Sequence, residues 1–126
     1  MTFEIIVEKT ATGYAATVSG MDVYTTAATI TELYENLVEA INFALEDENI
    51  TIQKKDLQLR INLPQFFRHY RVLNAKVLAE RINIHPTLLS HYVQGKKVPS
   101  QKQVNRILNG IQEIGQELAD LQFIQQ

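Results

Sequence analysis

No cysteine and no tryptophan occur in this chain, and only three prolines and five glycines punctuate its 126 residues. The missing thiols exclude a disulfide framework, a thiolate metal centre and a cysteine nucleophile. The three histidines, His69, His85 and His91, lack HExxH or any comparable ligand spacing, so no metal site is expected. No glycine-rich loop of the phosphate-cradling type is present, and no cofactor is expected. Apolar runs are too short to span a bilayer, and Met1-Thr2-Phe3-Glu4 lacks the basic flank of a secretory leader. The expectation is a cytoplasmic protein that is not an enzyme and has no membrane partner.

Base is scarce in the first half of the chain and acid in the second. The formal net charge of −2 conceals this. Residues 1–62 hold four cations, Lys9, Lys54, Lys55 and Arg60, against ten carboxylates, a balance of −6. Residues 63–126 hold eight cations against four carboxylates, a balance of +4. Between Leu63 and Gly110 only Glu80 opposes those eight cations. Such asymmetry points to one half facing nucleic acid and the other facing something else.

In the acidic half, Phe3, Ile5 and Val7 alternate with Glu4 and Glu8, the pattern of a half-buried strand. Thr10-Ala11-Thr12-Gly13 reads as a turn, and Tyr14, Ala16 and Val18 mark a second strand that Ser19-Gly20 breaks. Val23-Tyr24-Thr25-Thr26 is β-branched and aromatic enough for a third. Thr29-Ile30-Thr31-Glu32 is a capping box opening a helix, with Ile30, Leu33, Leu37, Ile41 and Ala44 as its inward stripe. Leu57, Leu59 and Ile61 then alternate with Gln58, Arg60 and Asn62 as a fourth strand. The order β-β-β-α-β predicts a small sheet with one helix on one face. The acids fall on the helix and just beyond it, not at strand ends. That distribution argues against a two-metal nuclease and suits Glu32, Glu35, Glu39 and Glu46 to steering a basic partner.

Leu63-Pro64 ends the fourth strand, and Gln65 to Arg71 predicts a short helix whose Phe66, Phe67 and Tyr70 belong to a core. From Asn74 to Gly95 the chain reads as two short helices joined by a tight turn. Asn74 caps the first; Val77, Leu78 and Ile82 recur at helical spacing, with the small Ala79 permitting a close crossing. Asn83 tolerates a left-handed turn, Ile84 can plug the corner, and Pro86 suits a first helical turn. Leu88, Leu89 and Tyr92 form the inward stripe of the second helix, which leaves Thr87, Ser90 and His91 outward. Ser100 can cap a long helix carrying Val104, Ile107, Leu108, Ile111, Ile114 and Leu118. Its Gly110 and Gly115 lower helix propensity, and would suit the close approach of a helix from a second subunit.

Residues 74–118 resemble the helix-turn-helix domain of the Xre/lambda-repressor type. The matching positions are Leu78-Ala79, Ile82, Ile84, Leu89, Tyr92 and the tail Gly95-Lys96-Lys97-Val98-Pro99-Ser100. The family usually has Gly where this chain has Asn83, and Gln where it has Ala75; Lys76 stands next to the latter. Residues 3–61, with GYAATVSG and TTAATITELYENLVEAINFALED, resemble the HicB antitoxin domain. The places where HicB sequences commonly carry a Pro-Gly-Cys-type loop and Gly-Asp-Thr read Ser19-Gly20-Met21-Asp22 and Ala27-Ala28-Thr29 here.

The resemblances imply an α+β protein with two domains. Residues 1–62 would be a truncated RNase H-like partner-binding domain, and 63–126 an all-α DNA-binding domain. They imply an antitoxin that neutralises a HicA-like toxin ribonuclease through Glu32, Glu35, Glu39 and Glu46 and represses its own operon. On double-stranded DNA with a pseudo-palindromic operator, Thr87, Ser90 and His91 would touch bases, while Lys76, Lys96, Lys97 and Lys102 would touch phosphates. A homodimer or higher homo-oligomer follows, with the sheet edge and the 104–118 helix as candidate surfaces. The rival reading is a stand-alone repressor whose first domain dimerises or senses a ligand; an RNA-processing enzyme is a third.

Overall fold

The computed structural model describes residues 1–121. It is an α+β chain that divides into two compact units, Met1–His69 and Tyr70–Gln126. The first unit contains strands β1 (Phe3–Lys9), β2 (Tyr14–Val18), β3 (Tyr24–Ala27) and β4 (Leu57–Ile61), with helices α1 (Ile30–Ala44) and α2 (Leu63–His69). The strands form one mixed sheet in the order β3-β2-β1-β4. β1 pairs antiparallel with β2 and parallel with β4, so a crossover through α1 must return the chain to the far side of β1.

Register decides which residues make the core. Ile5 lies opposite both Val18 and Leu59, and Val7 opposite both Ala16 and Ile61, so the odd-numbered positions of β1 build a common apolar face. Leu33, Leu37 and Ile41 of α1 complete it, each with no exposed surface. The inward stripe is narrower than the sequence pattern predicts: Ile30 and Ala44, at the two ends of α1, are exposed. Leu33 and Ile41, in the same terminal turns, are fully buried, so only the outermost residue at each end of the stripe is exposed. Half of the expected capping box forms, and Glu32 reaches one residue behind the N-cap Thr29 instead of closing on it. Thr29 Oγ1 accepts the Glu32 N–H at 3.2 Å and Glu32 Oε2 accepts the Ala28 N–H at 3.2 Å. Beyond α1, a 3-10 turn over Glu46–Glu48 ends on Asn49, whose φ of 54° turns the chain away.

The junction differs from expectation by seven residues. Helix α2 starts at Leu63 and belongs with the sheet, so the division falls after His69 rather than after Asn62. Gln65 explains this. Its Oε1 accepts the Lys9 N–H at 2.9 Å and its Nε2 donates to the Lys9 carbonyl at 2.7 Å, extending the ladder at the end of β1 by a side-chain rung. Asn62 adds a cap, its Oδ1 accepting the Gln65 N–H at 3.1 Å, and its amide donates to Glu8 Oε2 at 3.2 Å. Phe66 and Phe67 are buried, edge to face with ring centroids 5.6 Å apart, in keeping with their expected core role. Moving Arg68 across the division leaves −5 in the first unit and +3 in the second.

The second unit comprises α3 (Ala75–Arg81), α4 (Pro86–Val93) and α5 (Gln101–Ala119). Ser100 caps α5 by accepting the Gln103 N–H at 3.2 Å. The two glycines of α5 have different surroundings. Gly110 is buried, and a Cβ there would strike the Ile82 side chain at the end of α3. Its close approach is therefore to a helix of its own chain, which corrects the expectation of a second subunit at that point. A Cβ on Gly115 would meet nothing within 4 Å. Accordingly, Gly110→Ala should destabilise the second unit by about 1–3 kcal/mol through overpacking. Gly115→Ala should stabilise it by up to about 1 kcal/mol through helix propensity. Urea denaturation of the full chain followed by circular dichroism separates the two, and equal shifts of the same sign would contradict the assignment.

Candidate nucleic-acid interface

The segment from Asn74 to Lys97 is held by backbone bonds that its sequence dictates at each corner. Asn74 Oδ1 accepts the Val77 N–H at 3.2 Å and starts α3. At the other end Asn83 adopts φ 58°, the left-handed conformation that asparagine tolerates better than other side-chain-bearing residues. The Ile84 N–H then donates to the Ala79 carbonyl at 3.0 Å and the Asn83 N–H to the Glu80 carbonyl at 3.4 Å, a Schellman arrangement with Asn in the usual glycine place. Ile84, 4% exposed, fills the corner as the pattern predicts, beside the buried Leu78 and Ala79 of α3.

Helix α4 begins on an unusual cap. His85 Nδ1 accepts the Thr87 N–H at 3.2 Å, and Pro86 occupies the first helical position, where an absent N–H costs nothing. Leu89 and Tyr92 are buried, and Leu88 is half-buried at the margin of the stripe. The helix ends on a second Schellman arrangement. Gly95, at φ 78°, lets the Lys96 N–H reach the His91 carbonyl at 2.8 Å, with the Lys97 N–H on the same oxygen at 3.3 Å. The backbones of Lys96 and Lys97 are thereby fixed to the end of α4 that carries His91.

Positions 87, 90, 91 and 94 follow the i, i+3, i+4, i+7 spacing of one helix face, opposite to Leu89 and Tyr92. Thr87 is exposed on it, whereas Ser90 and His91 are half-buried. Gln94, which the sequence reading passed over, belongs to the same face and donates from Nε2 to Ser90 Oγ at 3.2 Å. Its i+4 spacing from Ser90 was the available signal. The capping role of His85 had none, because helix-capping side chains are ordinarily Ser, Thr, Asp or Asn. Lys76, in the first turn of α3, and Lys102, in the first turn of α5, are exposed, as are Lys96 and Lys97. Arg81 is engaged, its guanidinium paired with Glu117 of α5.

In the first unit Glu32, Glu35 and Glu39 share a face of α1 by spacing and are exposed, while Glu46 stands apart in the 3-10 turn. Glu32 is partly committed to the helix cap. Among the described residues no group of three or more histidines and carboxylates is placed to hold a metal ion, and no helix is long and apolar enough to cross a membrane. No protein-family model, curated protein or solved structure matches this chain.

The left-handed corner gives a direct test. Asn83→Gly should leave stability within a few tenths of a kcal/mol, whereas Asn83→Val should lower it by about 1–2 kcal/mol, because a β-branched side chain is strained there. Denaturant midpoints of the two variants check this; a neutral Asn83→Val would mean that the corner is not left-handed.

Proposed function

We propose that this chain is a dimeric, sequence-specific DNA-binding repressor of the HicB-like antitoxin kind. Its second unit works as a helix-turn-helix of the Xre/lambda-repressor type, with α4 entering the major groove of double-stranded DNA. The observation that carries this reading is the shape of α3, corner and α4: an asparagine-tipped turn, an isoleucine plug, and a helix whose open face holds Thr87, Ser90, His91 and Gln94. Hydroxyl and amide groups are among those that read base edges, and an imidazole offers a donor and an acceptor of the same kind. Lys76, Lys96, Lys97 and Lys102 contribute phosphate contacts, which fix position without reading sequence. One such helix covers only a few base pairs, so a homodimer on a pseudo-palindromic operator is part of the proposal.

The first unit, in this reading, is a truncated RNase H-like domain that binds a basic toxin ribonuclease. Its charge of −5 and the exposed carboxylates of Glu35 and Glu39 favour encounter with a cationic protein and disfavour phosphate.

Two substitutions separate base reading from phosphate binding. His91→Ala should cost about 1–3 kcal/mol on the natural operator, sought upstream of the chain's own gene, and nearly nothing on scrambled DNA. Lys97→Ala should weaken both about equally and reduce the magnitude of the log–log salt slope by about 0.9. Fluorescence anisotropy across a salt series measures both quantities. Equal losses for His91→Ala on the two DNAs would remove it from the base-reading set, and an unchanged slope would remove Lys97 from the phosphate set. In the first unit, Glu35→Lys combined with Glu39→Lys should slow association with the product of a neighbouring small basic reading frame, most strongly at low salt. A rate that does not change with these charges would favour a stand-alone repressor.

A further inference from the structure

Strand β3 is an edge of the sheet, and its outer side is only half closed. The Val18 N–H donates to the Val23 carbonyl at 3.1 Å, which sets the alternation of the β2–β3 ladder. Ala16 with Thr25 and Tyr14 with Ala27 are then the inward-bonded pairs, and Tyr24 and Thr26 turn their backbone groups outward. At one end α1 closes this edge. Asn36 Nδ2 donates to the Thr26 carbonyl at 2.9 Å, and Glu32 Oε2 takes the next N–H along, that of Ala28. The N–H and carbonyl of Tyr24 and the N–H of Thr26 have no such partner among the described residues.

Exposed edges are ordinarily blunted by lysine, proline or a bulge; residues 22–27 contain no lysine or proline. Beside the open stretch lies a groove of about 680 Å³ whose lining includes Asp22, Thr25, Glu39, Ala40 and Phe43, and no cation lines it. Phe43 at 74% and Tyr24 at 66% exposure flank it, Phe43 on α1 and Tyr24 on the face of the sheet away from α1. A second copy of the chain paired along this edge would bring another groove lined by carboxylates and no cation, so no opposite charges would meet. An extended cationic segment meets the opposite situation. Its backbone can add rungs at Tyr24 and Thr26, its ammonium or guanidinium groups face carboxylates, and its aliphatic stems lie along two aromatic rings.

We propose that the open stretch of β3, from Asp22 to Thr26, accepts a lysine- or arginine-rich extended segment of the basic protein partner as an added strand. The proposal rests on the reading that the first unit takes a basic protein. It is tested with a probe that needs no natural partner: a blocked peptide of about ten residues alternating Lys and Val, titrated into the isotope-labelled full chain. The Tyr24 and Thr26 amides should shift and become protected from hydrogen exchange. Binding should weaken as salt rises, and by at least about tenfold in Tyr24→Pro, which removes an outward N–H without touching the ladder. The same peptide N-methylated at alternate residues controls for any misfolding of that variant, and should not bind the unaltered chain. A matching Glu–Val peptide should also fail.

Shifts confined to other residues, no binding, undiminished binding of the N-methylated peptide, or protection of Tyr24 by a second copy before peptide is added would each overturn the edge assignment. Failure of the antitoxin reading shows differently, as absence of any complex between the full chain and its neighbour-encoded protein.

Discussion

The left-handed residue at position 83 is the constraint on which the second unit depends. With φ at 58°, Asn83 lets the Ile84 N–H turn back to the Ala79 carbonyl, and this closes α3 while aiming α4 across it. The same corner buries Ile84 and sets Ile82 against Gly110 of α5, so the three helices of the unit meet around one backbone reversal. Truncating a buried isoleucine such as Ile84 to alanine removes about 2–5 kcal/mol in typical cores. That is a large fraction of what a unit of this size can hold in reserve. Arg81 and Glu117 add a tie between α3 and α5, but both are substantially exposed, and an ion pair of that kind contributes little.

The first unit is organised differently, around β1. Its odd positions join the core between two strands of opposite direction, and its last residue is gripped by Gln65. Polar side chains close three further boundaries of this unit. Thr29 and Glu32 close the start of α1, Asn42 binds the backbone of Ile52 through both its amide groups, and Gln53 with Asp56 closes the 3-10 turn before β4. The charge left exposed is mostly carboxylate, and in the second unit mostly ammonium and guanidinium. The two units therefore expose charge of opposite sign, which is the premise of the proposal that they take different partners.

Much of this was legible in the residues because local chemistry and tertiary placement agree. Alternation marks three of the strands and β-branched content the other, Thr29 marks the start of α1, and Asn83, Ile84 and Pro86 mark the corner before α4. What escaped depends on contacts distant in sequence. Nothing local in Leu63–His69 says that Gln65 will bind Lys9, 56 residues earlier, so the division of the chain was placed too early. Gly110 signals a close approach, but only the structure identifies Ile82 as its neighbour. Ile30 and Ala44 fit the helical period yet are exposed at the two ends of the helix, which periodicity does not encode. In the candidate interface, Thr87, Ser90 and His91 share a face as the spacing required, while His85 acts through a cap that histidine seldom makes.

The central claim is that α4 reads a specific duplex sequence. Footprinting of the full chain on the DNA upstream of its own gene tests it most directly. The account predicts two protected half-sites whose centres lie about 34–36 Å apart, or a multiple of that spacing, at protein concentrations that leave random duplex untouched. Protection without a preferred position, equal to that on random duplex at every salt concentration, would contradict it.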